Sequence, residues 1–241
     1  MQIYNKKEIL NLFLSAIILG FIFSARGWGH STFNLGIGLT NLFRMSILSL
    51  IVLLVYQTSH KLIAKKYHAH STFKIWHLQR WWFTKNSKFK KSVPAGIILP
   101  LFFSLISNGF IKFAAIGSSE VVSIKRKRIG KKFKHITENE LARIHLVGPL
   151  SILLLSLILI QFPGFNEIVK IAYTLAIFSM FPFSGLDGGK VFFGSLPLYI
   201  FGTGFIILTA ILMQFLAPIW VLTLSIITAL SLALIFLENN F

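Results

Sequence analysis

Along this chain the apolar residues neither alternate nor gather on one helical stripe. They run in nearly unbroken blocks of about 20, the length that crosses a bilayer as a helix. Six such blocks stand out, at residues 8–24, 34–59, 143–161, 167–184, 198–216 and 218–237, and each predicts a transmembrane helix. Lys6 and Lys7 precede the first, no clean small-residue cleavage site follows it, and Arg26-Gly27-Trp28-Gly29 reads as an interfacial turn, so it is taken as a span and not a signal peptide. A seventh apolar stretch, 93–117, lies between two basic segments and must enter and leave on one side. Pro94, Pro100 and Gly109 predict a re-entrant hairpin or interfacial sheet there, since irregular backbone at membrane depth has to be buried in protein. The expected class is an all-α polytopic membrane protein with about six transmembrane helices and one re-entrant or interfacial segment. Without repeats or linkers it reads as one domain, 1–241: N-terminal spans in 1–50, a core in 50–195 and a helical hairpin in 196–241.

Composition agrees with the blocks. Hydrophobic residues make up 55% and charged residues 13%, against about a quarter charged in soluble proteins. The absence of cysteine excludes disulfides, thiolate metal sites and a cysteine nucleophile, so any metal must take nitrogen and oxygen ligands. The formal charge of +17 would suit nucleic acid if it were spread out. Instead, residues 60–92 hold nine Lys/Arg and residues 125–134 hold seven, with no acid in either segment. Basic residues collect in cytoplasmic loops and meet anionic head groups. That places both termini and both basic segments in the cytoplasm, with 25–33 and 162–166 external. Trp76, Trp81, Trp82 and Phe83, interleaved with the first basic segment, suit the head-group interface. Anionic lipid is the expected partner at 60–92 and 125–134, and nucleic acid is not.

Ionisable groups within or beside apolar spans mark function. Arg44 lies mid-span, twelve residues before Tyr56 and near the same helix face, where it can pair with a helix end or snorkel. His60 closes the second span. Asp187, the only aspartate, is followed by Gly188-Gly189, which lets the chain turn sharply and present the carboxylate to another helix; the alternative is a plain helix cap. Thr137 and Glu140 have capping-box spacing. His68 and His70 could supply a second pair of imidazoles on one strand face. His30, His77, His135 and His145 have no partner at a recognisable spacing and read as structural or interfacial.

The stretch Tyr56-Gln57-Thr58-Ser59-His60-Lys61-Leu62, the later Leu146-Val147-Gly148-Pro149-Leu150-Ser151, and Pro182-Phe183-Ser184-Gly185-Leu186-Asp187-Gly188-Gly189 together resemble the site-2-protease family of intramembrane zinc metalloproteases, most closely its small archaeal-type members. The resemblance covers about 50–195 and is most specific at Leu186-Asp187-Gly188. It implies zinc held by two histidines of an HExxH helix and by the LDG aspartate, with the glutamate taking a proton from metal-bound water. Here the first histidine's position is Tyr56 and the glutamate's is Gln57. Glutamine accepts no proton at neutral pH, and a phenol is a poor stand-in for imidazole at zinc. Asparagines usual near the two later motifs are replaced by Ile152 and Ser179. The metal positions implied are thus His60, Asp187 and Tyr56, the general-base position is Gln57, and Ser179, Gly148 and Pro149 fall at substrate-binding positions. The expectation is a site-2-protease-like pseudoprotease, its zinc weak or absent, that binds transmembrane segments or regulates a protease partner. Two alternatives stay open: an active zinc endopeptidase with atypical ligands, and a small transporter or channel in which Arg44 and Asp187 line a polar path.

Overall fold

The computed structural model describes residues 4–28, 33–80, 88–124 and 136–240. Trp81, Trp82, Phe83, His30, His135 and the basic segment 125–134 lie outside the described residues. Eight helices occur among those described: α1 (Lys6–Ser24), α2 (Leu35–Lys66), α3 (Ala95–Ile106), α4 (Glu138–Leu159), α5 (Asn166–Ser179), α6 (Asp187–Gly194), α7 (Leu196–Leu212) and α8 (Pro218–Asn240). Three of them, α1, α2 and α4, are long and apolar enough to cross a membrane, and α3, α7 and α8 carry shorter apolar stretches. The expected fourth span, 167–184, is cut short. Helix α5 stops at Ser179, because Pro182 disfavours helical backbone at Phe181 and Gly185 then takes φ +96° to turn the chain. At 14 residues α5 is about 21 Å long.

The helix ends follow from local chemistry. Asn34 caps α2 by accepting from the Gly36 and Ile37 amides at 3.0 and 3.2 Å, and Lys65 and Lys66 sit in its last turn, where the helix dipole favours cations. The expected capping box at Thr137 and Glu140 is formed in both directions and starts α4. Helices α1 and α2 run against each other at Gly20, where a Cβ would meet the Ser46 hydroxyl and backbone.

The helical class stands, with four short strands added to it: β1 (Ala69–Ile75), β2 (Leu78–Arg80), β3 (Lys88–Val93) and β4 (Gly117–Ser123). The stretch 93–117 is neither hairpin nor sheet throughout, but the end of β3, helix α3, a turn with left-handed residues at Asn108 and Gly109, and the start of β4. Strand β2 pairs with β3, and β1 pairs antiparallel with β4 from Ala69↔Ser123 to Ile75↔Gly117. Period-two burial is plain in β1: Ala69, Ser71, Phe73 and Ile75 face the core while His70 and Lys74 face out. The bonds Trp76 N–H to Ile116 O and Ile124 N–H to His68 O extend the even-numbered pairs of this ladder at its two ends. Narrow and wide pairs alternate in an antiparallel ladder, so the peptide groups of Phe73 and Ser119 turn away from the partner strand, toward α1 and α6.

Gly96 lies under this ribbon. A Cβ there would strike the Ile116 carbonyl and crowd the Trp76 amide. Gly96→Ala should therefore destabilise the protein by about 1–3 kcal/mol through overpacking against backbone. Gly204→Ala, whose added carbon would rest 3.6 Å from Leu232, should be nearly neutral. Thermal unfolding in detergent of the two variants checks the contrast; equal melting temperatures would disprove it.

Candidate metal centre

Helix α2 places Tyr56, Gln57 and His60 side by side, since residues four apart share a face and the third lies one step around. All three are buried, with Gln57 and His60 wholly inaccessible. Helix α4 brings His145 to the same place, and α6 begins there with Asp187. Asp187 is not the cap of α6. Leu186 holds that position and no side chain caps the helix, so the carboxylate turns inward. A Cβ at Gly188 would meet the Met180 carbonyl and one at Gly189 the Phe183 carbonyl. The glycine pair thus lets the 180–184 turn pass directly over the start of α6; the sharp turn expected at Gly188-Gly189 falls instead at Gly185, and both glycines are helical.

Around Asp187 the polar groups converge. His145 Nδ1 donates to Oδ1 at 2.9 Å, the Tyr56 hydroxyl donates to Oδ2, and His60 Nε2 lies 3.4 Å from Oδ2. One donor atom each from His60, His145 and Asp187 lie within 4.8 Å of one another. The sequence reading set His145 aside for want of a partner at a recognisable spacing; the partner is 42 residues away. No linear motif signals it. The one available cue was that His145 stands near the start of an apolar span, one turn before Gly148-Pro149.

Those two residues shape the seat of His60. A Cβ at Gly148 would fall on the His60 imidazole, so only glycine admits the ring there. Pro149 has no amide hydrogen, so the carbonyl four residues back, at His145, loses its helical donor. His60 Nε2 lies 3.3 Å from that carbonyl. This contact and the one to Asp187 are both long for a hydrogen bond, and Nδ1 has no partner among the described residues. A fully buried imidazole with no good hydrogen bond is rare, and an ion held with Asp187 would give Nε2, the nitrogen on that side, a strong partner. Two imidazoles and a carboxylate with no thiolate suit zinc or iron, so the residues fit the metal that the resemblance implies. Ser179, buried, satisfies its hydroxyl on the Ala176 carbonyl of its own helix at 2.8 Å.

Gln57 belongs to a second polar network that sequence reasoning missed. Its Nε2 donates to Glu8 Oε1 at 2.8 Å, and its Oε1 accepts from the Ser119 hydroxyl. Glu8, on α1, is 3% exposed. It also accepts from Lys61 Nζ at 2.7 Å and from the outward-turned Phe73 amide at 3.0 Å. The signal in the sequence was a single carboxylate opening the first apolar block.

A cavity of ≈ 360 Å³ reaches His145 from between β4, the start of α4 and α6; Glu120, Glu138, Ser184 and Lys190 supply its polar wall. Lys190 Nζ donates to Ser118 Oγ at 2.9 Å and to the Ser119 carbonyl, the outward-turned group of β4. Burial pushes its ammonium below the ordinary lysine value, while the Asp187 and Glu120 carboxylates pull the other way. His68 and His70 are both exposed and stand apart from the cluster. Arg44 pairs with Glu167 in the first turn of α5 at 2.8 Å, a helix-end partner and not Asp187.

No protein-family model, no curated protein and no solved structure matches this chain.

The Gln57 network predicts the outcome of restoring a glutamate at that position. Gln57→Glu sets a second carboxylate against Glu8 in a buried site, so it should lower stability, whereas Gln57→Glu with Glu8→Gln should recover most of the loss. The coupling between these contacting positions should fall within about 0.5–3 kcal/mol. Unfolding of the two singles and the double in detergent measures it, and strict additivity would show that the two side chains do not interact.

Proposed function

We propose that this chain is a multi-pass membrane protein of site-2-protease type with its hydrolytic step disabled. It holds a metal ion through His60, His145 and Asp187, zinc being the ion the resemblance implies, and it binds transmembrane segments of other proteins or regulates a protease partner. Gln57 carries this reading. At the general-base position stands a carboxamide with both ends engaged, Nε2 on Glu8 and Oε1 on Ser119, and a carboxamide takes no proton from water. The Glu8 carboxylate beyond it is already shared among Gln57, Lys61 and the Phe73 amide. Bound zinc would supply Lewis acidity, and the chain's own residues would hold it without a base beside it.

Membrane placement is supported by the three long apolar helices and by large apolar side chains left in the open on the outer faces of α1 and α2, such as Leu10, Phe13, Leu39 and Phe43. In this reading α5, α7 and α8 make up the other three of the six spans, α5 being the shortest at about 21 Å. Both termini and the basic segments then face the cytoplasm and its anionic lipids. A second reading, an active endopeptidase with atypical ligands, is favoured by one observation: His145 lies beside His60 and Asp187, close enough to serve as a third ligand in place of Tyr56.

Elemental analysis of the detergent-purified protein after chelation and zinc reloading tests the proposal. Near-stoichiometric zinc is expected, lost in Asp187→Ala and reduced at least tenfold in affinity in His145→Ala, with no cleavage of a helix-destabilised transmembrane peptide. Zinc retained in both variants, or absent from the wild type, would remove the metal centre. Zinc-dependent cleavage abolished by Asp187→Asn would replace the proposal with the second reading.

A further inference from the structure

We propose that Tyr56 is a fourth metal ligand, closing the centre to a His60–His145–Asp187–Tyr56 set that takes a strongly Lewis-acidic cation, with iron(III) favoured over zinc. The inference rests on the metal-binding reading above and deepens it. It starts from the position of the phenol. Tyr56 is buried at 1% exposure, its ring stands edge-on to His60 with centroids 4.5 Å apart, and its hydroxyl meets Asp187 Oδ2, the oxygen that His60 Nε2 also approaches. Asp187 is the one hydrogen-bond partner recorded for that hydroxyl among the described residues. Tyr56 thus meets the carboxylate that groups with His60 and His145, whose donor atoms lie within 4.8 Å of one another, and His60 among them has no good hydrogen bond.

The number of ligands matters chemically. Catalytic zinc keeps three protein ligands and one open position for water, whereas structural sites are closed by four. A phenolate at Tyr56 would take the place that water needs. Loss of the base at Gln57 and loss of the open position would then be two parts of one change, from a hydrolytic centre to a structural one that ties α2, α4 and α6 together. Ion choice follows from the donors. Carboxylate and phenolate are hard oxygen ligands, which suit a hard cation better than the softer zinc. The coordination step balances simply: the Tyr56 O–H bond breaks, its proton leaves to solvent, and the oxygen lone pair binds the cation, with no change of oxidation state.

Iron(III) bound to a phenolate is coloured, and that gives a readout independent of activity. The full-length protein in detergent, freed of metal, is titrated in parallel with zinc and with iron(III) supplied as a chelate. The expected result is a visible phenolate-to-iron charge-transfer band saturating near one ion per chain, with iron(III) displacing bound zinc. Tyr56→Phe should lose the band entirely while still binding zinc through the other three ligands, and Tyr56→His, a second variant that keeps a donor at this position, should also bind zinc without colour. Thermal unfolding confirms that each variant is folded. Zinc binding unchanged by both substitutions, with no colour in the wild type, would overturn the fourth ligand and leave the three-ligand reading intact. Failure of the wild type to bind either ion would overturn both, and would leave the cluster a metal-free hydrogen-bond network.

Discussion

A carboxylate with no solvent exposure, set among apolar helices, is the constraint on which the middle of this protein depends. Burying a charge without partners is prohibitive, and a buried pair is tolerated only when the remaining lone pairs are also satisfied. Asp187 meets that demand with hydrogen bonds from Tyr56 of α2 and His145 of α4, with His60 of α2 standing 3.4 Å away. The surrounding sequence choices follow from it. Gly148 makes room for one imidazole, Gly188 and Gly189 let the preceding turn lie close enough to deliver the carboxylate, and Pro149 leaves a carbonyl free to face His60.

One residue along α2, the side chains serve a different network. Gln57 points to Glu8 and Ser119, so α1, α2 and the ribbon are joined by groups adjacent in sequence to the candidate metal ligands. Position 57 is therefore tied to α1 packing as well as to chemistry. The one buried acid of this network is Glu8 on α1, one side chain beyond Gln57, and the Lys61 ammonium neutralises it.

The β1–β4 ribbon shows how the two networks extend outward. An isolated pair of strands leaves its outer peptide groups unpaired, a liability in any fold. At Phe73 the amide is taken by Glu8 and the carbonyl lies 3.4 Å from Asn11 Nδ2, both on α1; at Ser119 the carbonyl is taken by Lys190 on α6. Trp76 and Ser118 then fasten the 184–185 turn to the ribbon, through the Ser184 carbonyl at 2.9 Å and the Gly185 carbonyl at 2.7 Å. Edge protection and site assembly thus use the same few side chains. The cavity that reaches His145 runs beside this guarded edge.

By itself the sequence determined the helical class, the placement of the long apolar helices, the cap of α4 and two members of the cluster, His60 and Asp187. Those features are local: apolar block length, capping spacing and a lone acid before paired glycines are all read within a few residues. Tyr56 and Gln57 were singled out by the resemblance, which sets them beside His60 in one helical motif. Tertiary structure alone decided the rest. The ladder that pairs Ala69 with Ser123 spans more than fifty residues, the approach of Glu8 to Gln57 spans 49, and that of His145 to Asp187 spans 42. Each depends on how helices and strands pack, and packing is set by shape and by the need to satisfy buried polar groups, which no linear pattern encodes. The shortening of α5 lies between the two: Pro182 and Gly185 were visible, but hydropathy carried the block past them, and only the folded chain shows the backbone turning there to bring Asp187 inward.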